Sequence, residues 1–165
     1  MALRKIITVG HPTLKKRARP VERFDDRLGL LLDDMKETLV QANGVGLAAP
    51  QVAILRRICI VDNGEELLEL VNPEILEQSG EQDGLEGCLS VPETYGYVKR
   101  PNYVKIKAQD RHGVWHEYEG EELVARCFCH EIEHLDGHIY TEKAYHMLTD
   151  EEYEAMMSEA EDTDE

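Results

Sequence analysis

Residues 121–137 read EELVARCFCHEIEHLDG, a segment with helical periodicity that ends at a glycine. Four of its residues are spaced by four, three and four positions and so share one face of a helix: Leu123, Cys127, His130 and His134. Gly137 is a typical stop signal just beyond a helix. The segment therefore predicts a helix over about Glu121–Asp136 whose inward face carries both histidines beneath a sheet.

Within this helix, residues 130–134 (HEIEH) form a pattern typical of metal sites. Two histidines four residues apart lie one turn apart on the same face, so both imidazoles can bind one ion. Glu131, next to the first histidine, can reach a water at that ion and take its proton. Chance produces the pattern in roughly a few per cent of chains rich in His and Glu. A second alternative is that both histidines are hydrogen-bonded residues of the core. Further site residues elsewhere in the sequence are needed to favour a metal site over these alternatives.

A third ligand is needed, because a hydrolytic metal typically keeps three protein ligands and one open position. No histidine follows at the metzincin spacing, since His138 comes only four residues after His134 and Gly137 ends the helix. The best candidate is Cys88 in residues 86–90 (EGCLS), which follows a glycine and precedes a strand-like Leu-Ser-Val. A glycine lets the backbone approach a ligand closely. A lone cysteine in that setting is also compatible with an inert buried thiol.

Residues 44–51 (GVGLAAPQ) form a run of small residues that ends in a polar amide. Glycine and alanine let the backbone approach a substrate without obstruction, and Gln51 offers an N–H donor. The alternative is a plain Gly-Ala loop that starts where the preceding helix stops.

The remaining segments predict an α+β fold. A helix is expected over residues 25–43, with strands at Arg57–Asp62, Leu67–Asn72, Tyr103–Gln109 and Val114–Tyr118. Strands followed by a packed helix are typical of α+β domains and not of βαβ units. We expect antiparallel or mixed sheets packed around the metal-bearing helix.

At 165 residues the chain has the size of one globular domain. We expect a single catalytic domain at 1–148 and an acidic C-terminal helix or tail at 149–165. Thr149 and Glu152 form a capping-box pattern that starts this helix. Residues 150–165 carry nine Asp or Glu and no Lys or Arg, which predicts a solvated segment.

The net charge of −16 argues against direct binding of nucleic acid, because phosphates would be repelled. The basic residues near the start are expected to form an exposed loop and no binding patch: Lys15, Lys16, Arg17 and Arg19. No apolar run approaches the length of a membrane span, and no leader pattern opens the sequence. The four cysteines lack the spacing of a disulfide framework. These features predict a cytoplasmic protein with no membrane partner.

The motifs GVGLAAPQ, EGCLS and HEIEHL, in this order and spacing, closely resemble the three signature motifs of the peptide deformylases. The resemblance extends from the Ile6–Pro12 stretch to about residue 148. It implies a metal hydrolase that removes the N-formyl group from the formylmethionine of newly synthesised bacterial or organellar polypeptides. The implied partners are N-formylmethionyl peptides of nascent chains, with proximity to the ribosome possible.

Residue by residue, the resemblance makes Cys88, His130 and His134 the metal ligands. It makes Glu131 the general base for a metal-bound water that attacks the formyl carbon. The oxyanion donors would be the Gln51 amide and the backbone N–H of Leu89. The implied cofactor is one divalent metal ion, with Fe(II) favoured and Zn(II) possible.

The resemblance also implies the groove that receives the substrate. Val45 and Gly46 would border this groove, and Glu86 is also assigned to the substrate-binding residues. Glu86 is further expected to pair with Arg100 and so hold the Cys88 loop. An apolar pocket for the methionine side chain is expected from three residues: Val45, Val124 and Cys127.

Two positions depart from the family's commonest pattern, Glu133 in place of Asp and Cys129 in place of Gln. Neither is a ligand, and both are expected near the residues that orient the histidines. Two competing functions remain. A zinc endopeptidase would need a third ligand downstream, where no acid falls in a recognisable pattern. A non-catalytic module that recognises N-termini would normally have lost a ligand or the base.

Overall fold

Two antiparallel sheets and three α-helices make up residues 2–163, the part of the chain that the computed structural model describes. The helices are α1 (Asp26–Gln41), α2 (Leu123–Leu135) and α3 (Asp150–Thr163). The strands are β1 (Gly46–Ala48), β2 (Ile58–Asp62), β3 (Leu67–Ser79), β4 (Gln82–Cys88), β5 (Val91–Arg100), β6 (Tyr103–Gln109), β7 (Trp115–Glu121) and β8 (His146–Met147). The predicted α+β class is confirmed.

The larger sheet has the order β1-β2-β3-β6-β7, and the smaller has the order β4-β5-β8. Alternation decides which face of β6 is buried: Val104, Ile106 and Ala108 point into the core. Strand β7 pairs with β6 across a turn in which the Gly113 N–H donates to the Asp110 carbonyl at 3.0 Å. The predicted hairpin is therefore present, with β7 extending three residues further than Tyr118.

Three strand predictions need correction. β3 continues to Ser79 and not Asn72, because register shifts between Val71 and Glu74 and between Ile75 and Glu77 carry it past Pro73. Strands β4 and β5 were not predicted, since their glycines and charged residues have low β propensity. Leu89 and Ser90, expected to open a strand, instead form the turn that joins β4 to β5.

Helix α1 packs its apolar stripe on the larger sheet. Asp25 caps the helix by accepting a hydrogen bond from the Leu28 N–H at 3.1 Å. Leu32 and Met35 are fully buried against β2 residues such as Ile60. This packing closes one side of the domain and leaves the other face of the sheet to α2.

Helix α2 contacts strands of both sheets and occupies the centre of the fold. Ala125, Phe128 and Leu135 are buried among residues of the larger sheet. Of the predicted inward face, Leu123 is an exception, because it begins the helix and is 57% exposed. Gly137 ends the helix with a φ of +84°, and a Cβ there would lie 2.6 Å from the Lys15 carbonyl oxygen.

Helix α3 begins at the predicted capping box. The Glu152 N–H donates to Oγ1 of Thr149 at 3.1 Å, and the Thr149 N–H donates to Oε1 of Glu152 at 3.1 Å. Tyr153 stacks on Tyr95 of β5 with ring centroids 6.0 Å apart. Between residues 2 and 163 no helix is long and apolar enough to cross a bilayer. The division between 1–148 and 149–165 stays a prediction.

Candidate metal centre

Cys88, His130 and His134 meet at the centre of the fold. One potential ligand atom from each lies within 4.8 Å of the other two. Helix α2 supplies both histidines one turn apart, and β4 ends at the cysteine. Cys88 Sγ lies 3.4 Å from His134 Nε2, and the two imidazole centroids are 4.9 Å apart. The structure thus brings together the three residues that the sequence proposed as ligands.

The donor set suits a divalent transition metal. One thiol sulfur and two imidazole nitrogens match the preferences of Zn(II) and Fe(II), and three protein ligands leave one position open. Burial lowers the pKa of His134 to about 3, so this imidazole is neutral at pH 7 with a lone pair to give. Its Nδ1 atom is buried without a hydrogen-bond partner among the residues described. These residues fit a metal ion.

Glu86 fixes the orientation of the first histidine. Its Oε1 lies 2.8 Å from His130 Nδ1, which leaves Nε2 of that ring for the metal position. Arg100 donates to both oxygens of Glu86, at 2.8 and 2.9 Å, and Arg126 adds a third contact at 2.7 Å. Burial opposes ionisation, but the hydrogen bonds from Arg100 and His130 outweigh it and lower the pKa of Glu86 to about 2. The expected pairing with Arg100 is present. Both oxygens of Glu86 accept hydrogen bonds, so this carboxylate is better suited to orienting His130 than to binding a substrate.

Glu133 extends this network towards the surface. Arg100 donates to its Oε1 at 2.6 Å, and the Lys143 ammonium lies 2.5 Å from the same oxygen. Glu133 therefore supports the arginine that holds Glu86. Cys129 is buried beside this network, and burial raises the pKa of its thiol to about 11. Sequence reasoning missed Arg126 and Lys143, whose placement depends on β4 and on the segment after α2.

Glu131 is a buried carboxyl group without a full set of partners. It is 3% exposed, lines the cavity beside the ligands, and its Oε1 accepts no hydrogen bond from any residue described. A Cβ at Gly46 would overlap its Oε2, so the absence of a side chain there makes room for the carboxylate. Burial raises the pKa of Glu131 to about 7.

Gln51 has its amide fixed beside the cysteine. It lies in a 3-10 turn at Ala49–Val52, where its Oε1 accepts from the Ala48 N–H at 2.9 Å. Its Nε2 then points to Ser90 Oγ at 3.1 Å and Cys88 Sγ at 3.5 Å. One N–H of the amide therefore faces the proposed ligand Cys88. Ser90 was not identified from the sequence, because its role depends on the turn between β4 and β5.

A cavity of about 390 Å³ opens beside the three ligands. Val45, Gly46 and Glu86, which the resemblance assigns to the substrate groove, line this cavity, and so does Leu89. Their contact with a substrate stays a prediction. The expected methionine pocket needs one correction: Val124 packs against Gly120 and the core, and Leu123 takes its place at the cavity. The volume falls in the range of small-molecule sites, about 300–1,000 Å³.

An α+β fold that gathers one thiol, two imidazoles, a buried glutamate and an oriented amide around a cavity defines a metal-dependent hydrolase. Comparison with known proteins gives the family. The model of the polypeptide deformylase family matches residues 3–149.

Individual relatives are similar in sequence to this protein over nearly its whole length. A peptide deformylase of Agathobacter rectalis is 54% identical over 154 residues, which is 93% of this chain and 98% of the relative. One from Caldicellulosiruptor bescii is 50% identical over 99% of both chains. The crystal structure of peptide deformylase from Thermotoga maritima superposes with a TM-score of 0.84 at 40% identity, covering 86% of this chain and 97% of that one.

The chain belongs to the polypeptide deformylase family. It is a metal-dependent hydrolase that removes the N-formyl group from nascent peptides. The resemblance seen in the three sequence motifs is confirmed.

Proposed function

We propose that this enzyme hydrolyses the formyl amide of N-formylmethionyl peptides with one divalent metal held by Cys88, His130 and His134. The convergence of these three side chains within 4.8 Å is the observation that supports it. When bound, the metal supplies Lewis acidity and lowers the pKa of a coordinated water to about 7. The mixed thiolate and imidazole set suits Fe(II), which we favour, and also Zn(II).

Glu131 acts as the general base. Its carboxyl group lines the cavity and has an oxygen, Oε1, without a hydrogen-bond partner, so it can take a proton from the attacking water. The same atom can then return that proton to the leaving amine, which would otherwise depart as an unstable anion. Gly46 leaves this carboxylate the space that a side chain would fill.

Gln51 and the backbone N–H of Leu89 stabilise the negative oxygen that develops on the formyl group. The Gln51 amide is already oriented by Ala48 and Ser90, and the N–H that now faces Cys88 Sγ is the one that would donate to this oxygen. Loss of one such donor typically costs about 2.7–4 kcal/mol of barrier.

Selectivity for formyl follows from crowding at the reacting carbon. A formyl carbon carries only hydrogen, whereas a longer acyl group would meet the backbone at Gly46 and Leu89. Val45, Leu123 and Cys127 offer apolar surface for the methionine side chain. One methylene in an apolar pocket discriminates by about 1–3 kcal/mol, so side-chain preference is graded.

The deciding experiment is an anaerobic assay on formyl-Met-Ala-Ser with metal analysis of the same sample. We expect Glu131→Gln to retain metal and lose about 10²–10⁴-fold in kcat. Cys88→Ala is expected to lose both metal and activity. The control is Glu154→Gln, which removes one charge from the exposed face of α3.

Full activity of Glu131→Gln would refute the proposed base. Cleavage of formyl-free peptides by the wild type would instead support an endopeptidase, and binding of N-termini without turnover would support a recognition module.

We further propose that the enzyme works in the cytoplasm, close to the ribosome, because nascent peptides are its substrate. Its four cysteines are all free thiols, which agrees with a reducing compartment. The acidic residues of α3 are poorly suited to contact RNA. Residues 1–148 are proposed as the catalytic domain, with 149–165 as an acidic appendage.

A further inference from the structure

The arginines of this chain fall into two groups. Five form ion pairs with carboxylates: Arg4, Arg57, Arg100, Arg111 and Arg126. The other five have no ion pair with any residue that the structure describes: Arg17, Arg19, Arg23, Arg27 and Arg56. Four of these five line one cavity, Arg17 being the exception. In a chain with 34 acidic and 18 basic residues, such a group of unpaired guanidinium groups needs an explanation.

The backbone holds two of these arginines side by side. Arg19 and Arg56 form a parallel bridge, in which the Arg19 N–H donates to the Leu55 carbonyl at 3.1 Å. The Arg57 N–H donates back to the Arg19 carbonyl at 2.9 Å. Like charges on directly paired residues repel each other. An anion bound by both guanidinium groups would offset this repulsion, since each arginine can donate two parallel N–H hydrogen bonds to a phosphate or carboxylate.

The cavity, which we name the arginine cavity, is separate from the metal centre. It is a surface cavity of about 580 Å³, open to solvent, and it shares no lining residue with the cavity beside the proposed metal ligands. Its apolar lining includes Val21, Leu31 and Ile54. An apolar surface beside the guanidinium groups suits a ligand that has an uncharged part as well as an anionic group.

The charge of the chain is strongly uneven around this site. Residues 1–57 carry eleven Lys or Arg against six Asp or Glu, whereas residues 58–165 carry seven against 28. Eleven of the twelve residues that line the arginine cavity belong to this basic stretch of the sequence, the exception being Ile58. A small anion can enter such a site although the net charge is −16.

We propose that the arginine cavity binds a small phosphorylated ligand of nucleotide size. Arg19 and Arg56 contact the phosphoryl group, and Val21 and Ile54 contact the uncharged part. A continuous RNA backbone is disfavoured, because Glu22 and Asp25 line the same cavity and would repel neighbouring phosphates. The exposed basic loop predicted from the sequence thus contributes Arg19 to a binding site, together with residues distant in the sequence.

The test is calorimetric titration of the metal-loaded full chain with AMP, inorganic phosphate, adenosine and a short RNA. We expect saturable binding of AMP at one site, weaker binding of phosphate and no binding of adenosine. Arg19→Gln with Arg56→Gln should weaken AMP binding by at least about tenfold, the loss expected from one charge-assisted hydrogen bond. Lys16→Gln with Arg17→Gln removes the same charge from the same segment outside the cavity and should leave the affinity unchanged.

A second measurement does not depend on variants. In the wild-type chain, AMP should shift the amide NMR signals of residues 19–28 and 54–58 and leave those of residues 86–90 in place. The proposal is overturned if AMP and phosphate both fail to bind, or if the control variant loses as much affinity. It is also overturned if RNA binds more tightly than AMP, which would indicate a nucleic-acid surface.

Discussion

Oε1 of Glu86 lies 2.8 Å from Nδ1 of His130, and this contact joins strand β4 to the helix that carries two of the three proposed ligands. Glu86 is two residues from Cys88, so one carboxylate orients His130 and also holds the segment that carries Cys88, both of them proposed ligands. Arg100 and Arg126 hold that carboxylate in place from β5 and α2. The metal site therefore depends on a buried charge network, two of whose members, Glu86 and Arg126, also line the cavity beside it.

Replacing Glu86 with Gln should weaken metal binding by about 10–100-fold, the usual effect of removing a partner of a metal-bound histidine. Arg100 and Arg126 would also lose their shared carboxylate, so the free energy of unfolding should fall by about 3–5 kcal/mol. Competition with a chelator measures the first effect, and denaturant unfolding measures the second. Glu81→Gln, at an exposed carboxylate before the same strand, is the control. Unchanged metal affinity would show that Glu86 does not orient His130.

Gly46→Ala should abolish most activity while metal is retained. The added Cβ would overlap Oε2 of Glu131, so the proposed base must move. We expect a loss of about 10²-fold or more in kcat, as for removal of a general base. Gly29→Ala is the matched control: its Cβ would meet only Arg111 at 3.5 Å, and alanine favours the α1 helix by roughly 0.5–1 kcal/mol. Normal kcat in the Gly46 variant would contradict the position assigned to Glu131.

The proposed ligands on α2 were predictable because helical spacing is a local property. Residues four apart on a helix lie one above the other in any fold. The proximity of His130 and His134 could therefore be predicted without knowing how the rest of the chain folds. Cys88 was different: its isolated setting also suited an inert thiol, and only the three motifs together pointed to it. Its placement depends on β4, which sequence patterns did not predict.

The errors in the candidate site arose where a side chain's position depends on its exact place on a helix or on the pairing of strands. Leu123 and Val124 differ by one position, which turns a side chain by about 100° around the helix axis. That rotation places Leu123 at the cavity and Val124 against Gly120 in the core. The contacts of Arg126 and Ser90 depend on the register and turn of β4 and β5, and no local pattern encodes them.

Gln51→Ala should lower kcat by about 10²–10³-fold with little change in KM, because the lost donor acts on charge that develops during the reaction. Ser90→Ala should have a smaller effect on kcat, since the Gln51 amide keeps its contact with the Ala48 N–H. Steady-state kinetics on formyl-Met-Ala-Ser separates the two parameters. A rise in KM at constant kcat in Gln51→Ala would show that the amide binds the substrate and does not stabilise the oxyanion.

Asp34 should make the stability of the fold depend on acid pH. The Ala2 N–H donates to its Oδ1 at 2.8 Å, and Arg4 contacts Oδ2, so the pKa of Asp34 lies below its ordinary value. A lowered pKa in the folded state means that the contribution to stability is present above the unfolded pKa of about 3.9 and is lost as pH falls through the folded value. Asp34→Asn should therefore be less stable than the wild type at pH 7, and the difference should shrink as pH falls from about 5 towards 2.

Urea unfolding of both proteins across this pH range measures that difference. Glu37→Gln, at an exposed position of the same helix, should show no such pH dependence. A stability gap between Asp34→Asn and the wild type that stays constant with pH would mean that the Asp34 charge is not what ties residues 2–4 to α1. In that case uncharged contacts, such as the hydrogen bond from the Arg4 N–H to Oγ1 of Thr38 at 2.9 Å, would have to account for the attachment of this segment.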